Sequence, residues 1–131
     1  MKVSEIRDCV HDTDFDYLES PSNLRWKYVR YFPVSEFTER RVGRIVKKRS
    51  VEDWKKWIES EAAMENESAY ILALEKAWVE DPEAVGPVVI AYVSKDHIDI
   101  GNGWHRIALA VVNGMQTIPA IVAVDDLPNE R

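Results

Sequence analysis

One cysteine, Cys9, stands in 131 residues, so no disulfide can close within the chain and its stability has to come from a buried core. Glycine is scarce too: of five in all, three (Gly101, Gly103 and Gly114) fall between residues 101 and 114. Apolar runs are short, and none approaches the roughly 20 residues that span a bilayer. Residues 1–8 lack the apolar core of a signal peptide; together with the lone cysteine this gives the expectation of a cytoplasmic protein with no membrane partner. A basic surplus is missing: 17 lysines and arginines face 23 acids, for a net charge of −6, the reverse of what a nucleic-acid-binding domain usually shows. Internal repeats and low-complexity segments are absent. His11, Asp12, Asp14 and Asp16 alternate without fixed geometry and read as a solvated segment rather than a metal cluster.

What is present suits one modest domain. A hydrophobic share of 46% with 31% charged residues is ordinary globular composition, and the length allows one core rather than two. Residues 1–26 form a polar N-terminal segment, 27–126 the domain, and 127–131 a C-terminal tail. Within the domain the pattern alternates. A strand is expected near residues 27–32, where Trp26, Tyr28, Tyr31 and Phe32 concentrate as core fillers. Ser50 caps a helix bearing Val51, Trp54, Trp57 and Ile58 on one face. A second helix runs from Ser68 through Tyr70, Ile71, Leu74 and Trp78 to the stop at Asp81-Pro82. Residues 86–93, G-P-V-V-I-A-Y-V, suit a strand buried on both faces, hairpinned through 94–96 to a short strand at 97–100. Residues 118–124 form a last buried strand, with Pro119 tolerable near its start or on an edge. The fold class is α+β, a small mixed sheet with helices packed on it.

Residues 99–114, D-I-G-N-G-W-H-R-I-A-L-A-V-V-N-G, are where local chemistry points to a task. A glycine turn runs straight into an apolar helix. Glycine lets backbone bend sharply and approach a ligand, and the first amides of a helix favour anions. Gly101, Asn102, Gly103, His105 and Arg106 thus read as a phosphate cradle, Arg106 able to donate two parallel hydrogen bonds. The alternative is an ordinary turn capping a core helix.

The stretch resembles the ParB/sulfiredoxin-like superfamily (ParB-like nuclease or ParB N-terminal-like domains) as a small, divergent member. The matching parts are Gly86-Pro87-Val88-Val89, the turn from Asp99 to Arg106, Gly114, and Ile118-Pro119-Ala120-Ile121-Val122. Residues 27–37, K-Y-V-R-Y-F-P-V-S-E-F, match more loosely the strand and "P-x-S-x-L" turn that open such domains. The resemblance implies a nucleotide- or phosphate-binding domain, with Mg2+ and a nucleoside triphosphate as the implied cofactors. Hydrolysis, phosphotransfer or nuclease activity in a DNA-associated or mobile-element system would follow from it. It also implies a working glutamate, Glu36 or Glu39, with His105 in the catalytic set. Asp99 reads either as a carboxylate that holds Mg2+ through water, since Mg2+ takes one or two carboxylates plus phosphate oxygens, or as a cap of the turn that accepts backbone amides. The chain departs from sulfiredoxin, which needs a nucleophilic cysteine before His-Arg; Trp104 stands there instead. An indole cannot be a nucleophile, so Trp104 is expected to pack under the turn, or alternatively to stack on a base.

Charge is unevenly spread. Residues 40–49, R-R-V-G-R-I-V-K-K-R, hold Arg40, Arg41, Arg44, Lys47, Lys48 and Arg49 with no acid among them. They read either as a nucleic-acid contact strip or as solvated surface paired with neighbouring carboxylates. Acidity, small size and many tryptophans also fit a reading from another class, a non-catalytic protein-binding or inhibitory module that keeps the fold with a degenerate site.

Overall fold

The computed structural model describes residues 25–45, 47–64, 68–93 and 96–124; Cys9, the acidic cluster at 11–16 and the tail at 127–131 lie outside them. The described residues make five strands and five helices: β1 (Arg25–Pro33), α1 (Glu36–Glu39), β2 (Arg41–Val42), α2 (Val51–Met64), α3 (Ser68–Glu80), α4 (Pro82–Val85), β3 (Val88–Val93), β4 (His97–Asn102), α5 (Trp104–Val112) and β5 (Thr117–Val124). The sheet is mixed, in the order β1-β5-β3-β4-β2. The β1–β5 and β3–β4 pairs are antiparallel, while β3–β5 and β4–β2 are parallel. The protein is α+β, a five-stranded mixed sheet with helices packed on it.

The central strands are the apolar runs. Val88, Val89 and Ile90 are fully buried in succession, which requires cover on both faces of the sheet. Proline cannot donate to a ladder, yet Pro119 lies in an internal strand. The register resolves this: β1 bulges between Val29 and Phe32, opposite Pro119, and the pairing of β5 with β3 covers only residues 120–122. The same bulge separates aromatics expected to fill the core together. Phe32 is buried, whereas Tyr31 is 64% exposed with the Arg30 guanidinium over its ring. For Tyr31, core filling is therefore corrected to surface stacking, because an extra residue in the strand swaps the face that follows it.

Helix starts follow local chemistry. Ser50 and Asp53 form a reciprocal capping box on α2: the Asp53 amide donates to Ser50 Oγ at 3.1 Å and the Ser50 amide to Asp53 Oδ2 at 3.0 Å, satisfying two amides that α2 leaves unpaired. Trp54 and Ile58 bury the inner face of α2, and Ile71 and Trp78 that of α3. Asp81-Pro82 ends α3 and also starts α4, Asp81 accepting from the Ala84 amide with Pro82 in the first turn. Helix α5 differs from both long helices. Every residue from 106 to 111 is buried, and α5 packs against α2 and α3, so this stretch is buried all round rather than along one stripe.

Candidate functional site

Strand β4 carries Asp99, Gly101 and Asn102 to the sheet end where α5 begins. Gly103, the residue between them, has φ +104°, a conformation open to glycine and strained for other residues. Glycine is needed here for a second reason, because a Cβ at 103 would lie 2.7 Å from Val88 Cγ1. Having no side chain, Gly103 caps nothing; its carbonyl accepts from the Ile107 amide at 2.9 Å. The amides ahead of residue 107 therefore receive no side-chain cap, the condition under which a helix start attracts an anion.

The two basic residues of the turn part company. His105 is half-buried, with Nε2 3.5 Å from Glu61 Oε1 and its ring 5.6 Å from that of Trp57. Arg106 turns inward and is 7% exposed. Its Nη1 donates to the carbonyls of Gly86 at 3.1 Å and Pro87 at 2.9 Å, tying the first turn of α5 to the entry of β3. A guanidinium engaged this way satisfies two buried carbonyls, so its Nη1 is committed to the fold.

Trp104 packs, as its position suggests. Its ring centroid lies 6.0 Å from Trp54 and 5.9 Å from Trp57, and those two meet edge to face at 6.1 Å. Trp54 sends its indole N–H away to the Phe37 carbonyl at 3.1 Å. Arg49 enters the space between the rings, its Cζ 4.7 Å from the Trp54 centroid and 5.7 Å from both Trp57 and Trp104. Burial pushes the Arg49 pKa down, partly offset by Asp53. Gly43, in a left-handed turn at φ +61°, comes up against the far edge of Trp104. Its carbonyl is 2.7 Å from His97 Nε2. The loop between β2 and α2 thus touches Trp104 at both of its ends.

The basic strip is divided by these contacts. Arg40 is ion-paired with Glu36 one helical turn back, Arg41 pairs with Asp96 at 3.4 Å, and Arg49 sits among the indoles. Arg44, Lys47 and Lys48 are exposed. Of the α1 carboxylates, Glu36 is committed to Arg40 and Glu39 is exposed. Asp99 is exposed on β4, and among the described residues no group of three or more His, Cys, Asp or Glu could hold a metal ion. Two concave surfaces lie away from the turn. One, about 350 Å3, is bordered by Ser35, Thr38, Met115 and Gln116; the other, about 300 Å3, lies between α2, α3 and α5.

Sequence reasoning did not find the Arg49–tryptophan assembly. Trp54 and Trp57 are three apart on α2, a spacing that makes them neighbours on one face, but nothing local tied either one to Trp104 or to Arg49. No helix among the described residues is long and apolar enough to cross a membrane. Comparison of the chain with protein-family models, with curated proteins and with solved structures returned no match.

Proposed function

We propose that the chain binds a phosphate-bearing ligand, a nucleotide foremost, at the start of α5. The observation that carries this reading is Gly103 in the left-handed conformation, opening a nine-residue helix without a side-chain cap, with His105 half-exposed in the first turn. Asn102 and the amides of Trp104 and His105 would receive the phosphate, and His105, released from Glu61, would donate to it. Arg106 supports this cradle from below. Turnover as a hydrolase, phosphotransferase or nuclease would need a base, and Glu39 is the α1 carboxylate not committed to an ion pair among the described residues. A cytoplasmic setting, with a nucleotide pool and a reducing environment for Cys9, suits the reading, as does an accessory role in a DNA-associated or mobile-element system.

The test is calorimetric and NMR titration of the full chain with ATP, CTP and GTP, with and without Mg2+. Saturable binding with amide shifts at Gly103, Trp104 and His105 is expected. His105→Ala should weaken it by about 1.5–3 kcal/mol, the scale of a charge-assisted hydrogen bond. Absence of heat and of shifts at millimolar nucleotide would overturn the reading. A non-catalytic protein-binding module is the second reading, favoured by the withdrawal of Arg106 onto the Gly86 and Pro87 carbonyls. Silence toward every nucleotide in a folded protein supports it.

A further inference from the structure

Three indoles enclose the Arg49 guanidinium, and the enclosure suits a different cation better than the one it holds. Trp54 is fully buried and forms the floor, with its N–H turned away to Phe37. Trp57 and Trp104, both half-buried, are the walls, so the assembly is open on one side. Aromatic faces attract cations through the ring quadrupole, most strongly when the cation is desolvated. A guanidinium, however, brings five N–H donors that need acceptors. Arg49 Nη1 is buried and has no hydrogen-bond partner, while three indole faces lie around the guanidinium. A buried donor left unpaired lowers the net gain of inserting the side chain. A quaternary ammonium presents only methyl groups and needs no acceptor, so it gains the same attraction without that loss. Arg49 lies in the irregular segment ahead of α2, after the exposed Lys47 and Lys48, so its departure breaks no ladder or helix bond. Carboxylates stand close by. Asp53 acts on Arg49 electrostatically, and Glu61 faces His105, whose ring lies tilted against Trp57.

We propose that Trp54, Trp57 and Trp104 form a receptor for a quaternary ammonium group, with Arg49 as a built-in occupant displaced when that group binds. This site takes a cation and does not depend on the phosphate reading. The chemistry is shared by free trimethylammonium compounds and by trimethylated lysine side chains, and the experiment separates them. The wild-type chain and Arg49→Ala are titrated, following tryptophan fluorescence and indole N–H resonances, with choline and with a trimethyllysine peptide. Comparators are the unmethylated peptide and 3,3-dimethyl-1-butanol, the neutral isostere of choline. Removing the internal competitor should tighten binding by about tenfold or more, because the open cage becomes the dominant state. Trp57→Ala in the same background should abolish it. Choline alone binding assigns the site to a small molecule, and the peptide alone binding assigns it to a modified protein. The proposal is overturned if folded Arg49→Ala shows no saturable response to either probe, or if the neutral isostere binds equally well. Should Arg49→Ala fail to fold, Arg49→Gln replaces it, and loss of fold in both variants would make Arg49 structural and overturn the proposal as well.

Discussion

A methyl group added at Gly103 would collide with Val88 at 2.7 Å and would also be strained at φ +104°. Gly103→Ala is therefore expected to lower stability by about 1–3 kcal/mol from overpacking alone, with a further loss from the backbone. Urea unfolding should show this as a lower midpoint at unchanged slope, and an unmoved midpoint would mean that β3 gives way freely. Arg106 offers a sharper contrast with expectation. As a ligand-binding residue its loss would leave stability untouched, but the buried geometry says otherwise. Arg106→Met keeps the side-chain length and deprives two carbonyls of their donor, which should cost about 1–3 kcal/mol for each acceptor left unsatisfied. Thermal denaturation decides between the two roles. The type of each residue was legible in the sequence, but the direction in which Arg106 points was not. That direction depends on where the Gly86 and Pro87 carbonyls lie, and they belong to the link between α4 and β3, 19 to 20 residues away.

At the scale of the element, the capping box of α2 makes a pH-dependent prediction. The Ser50 amide, and then its hydroxyl, hold the Asp53 carboxyl below its ordinary pKa. A group whose pKa is depressed by folding contributes fully above its unfolded-state pKa, near 3.8, and loses that contribution as pH falls through the folded value. Acid titration of Asp53→Asn should therefore show a shallower loss of stability below about pH 4 than the parent chain. Identical acid limbs would mean that the box is not formed in solution. Ser50→Ala should cost about 0.5–2 kcal/mol at neutral pH. These helix starts were readable because capping is local: Ser50 followed by Asp53, or Asp81 followed by Pro82, fixes a start without outside help. The two-residue strand β2 was not readable. Arg41 and Val42 have no pattern of their own and are extended because β4 lies beside them.

Across the whole molecule, charge is arranged differently from its order in the chain. Three of the six strip cations have intramolecular partners, so of the strip it is Arg44, Lys47 and Lys48 that meet a polyanion without first giving one up. If nucleic acid binds, the logarithmic salt slope should be no steeper than about −3, given roughly −0.9 for each phosphate neutralised on duplex DNA. Reversing the charge of Lys47 and Lys48 should remove the complex. A slope near twice that value would show that Arg40, Arg41 and Arg49 had left their partners. The class of the fold was determined by the sequence alone, because strand and helix periods, caps and turns act over a few residues and agree with one another. The glycine turn ahead of an apolar helix was legible for the same reason. Which side chains of that turn point inward and which reach the surface was decided only in the tertiary structure, as was the meeting of Arg49 with Trp54, Trp57 and Trp104. Contacts between residues about fifty positions apart follow from strand order and from the packing of α2 on α5, and those arise only when the whole core closes.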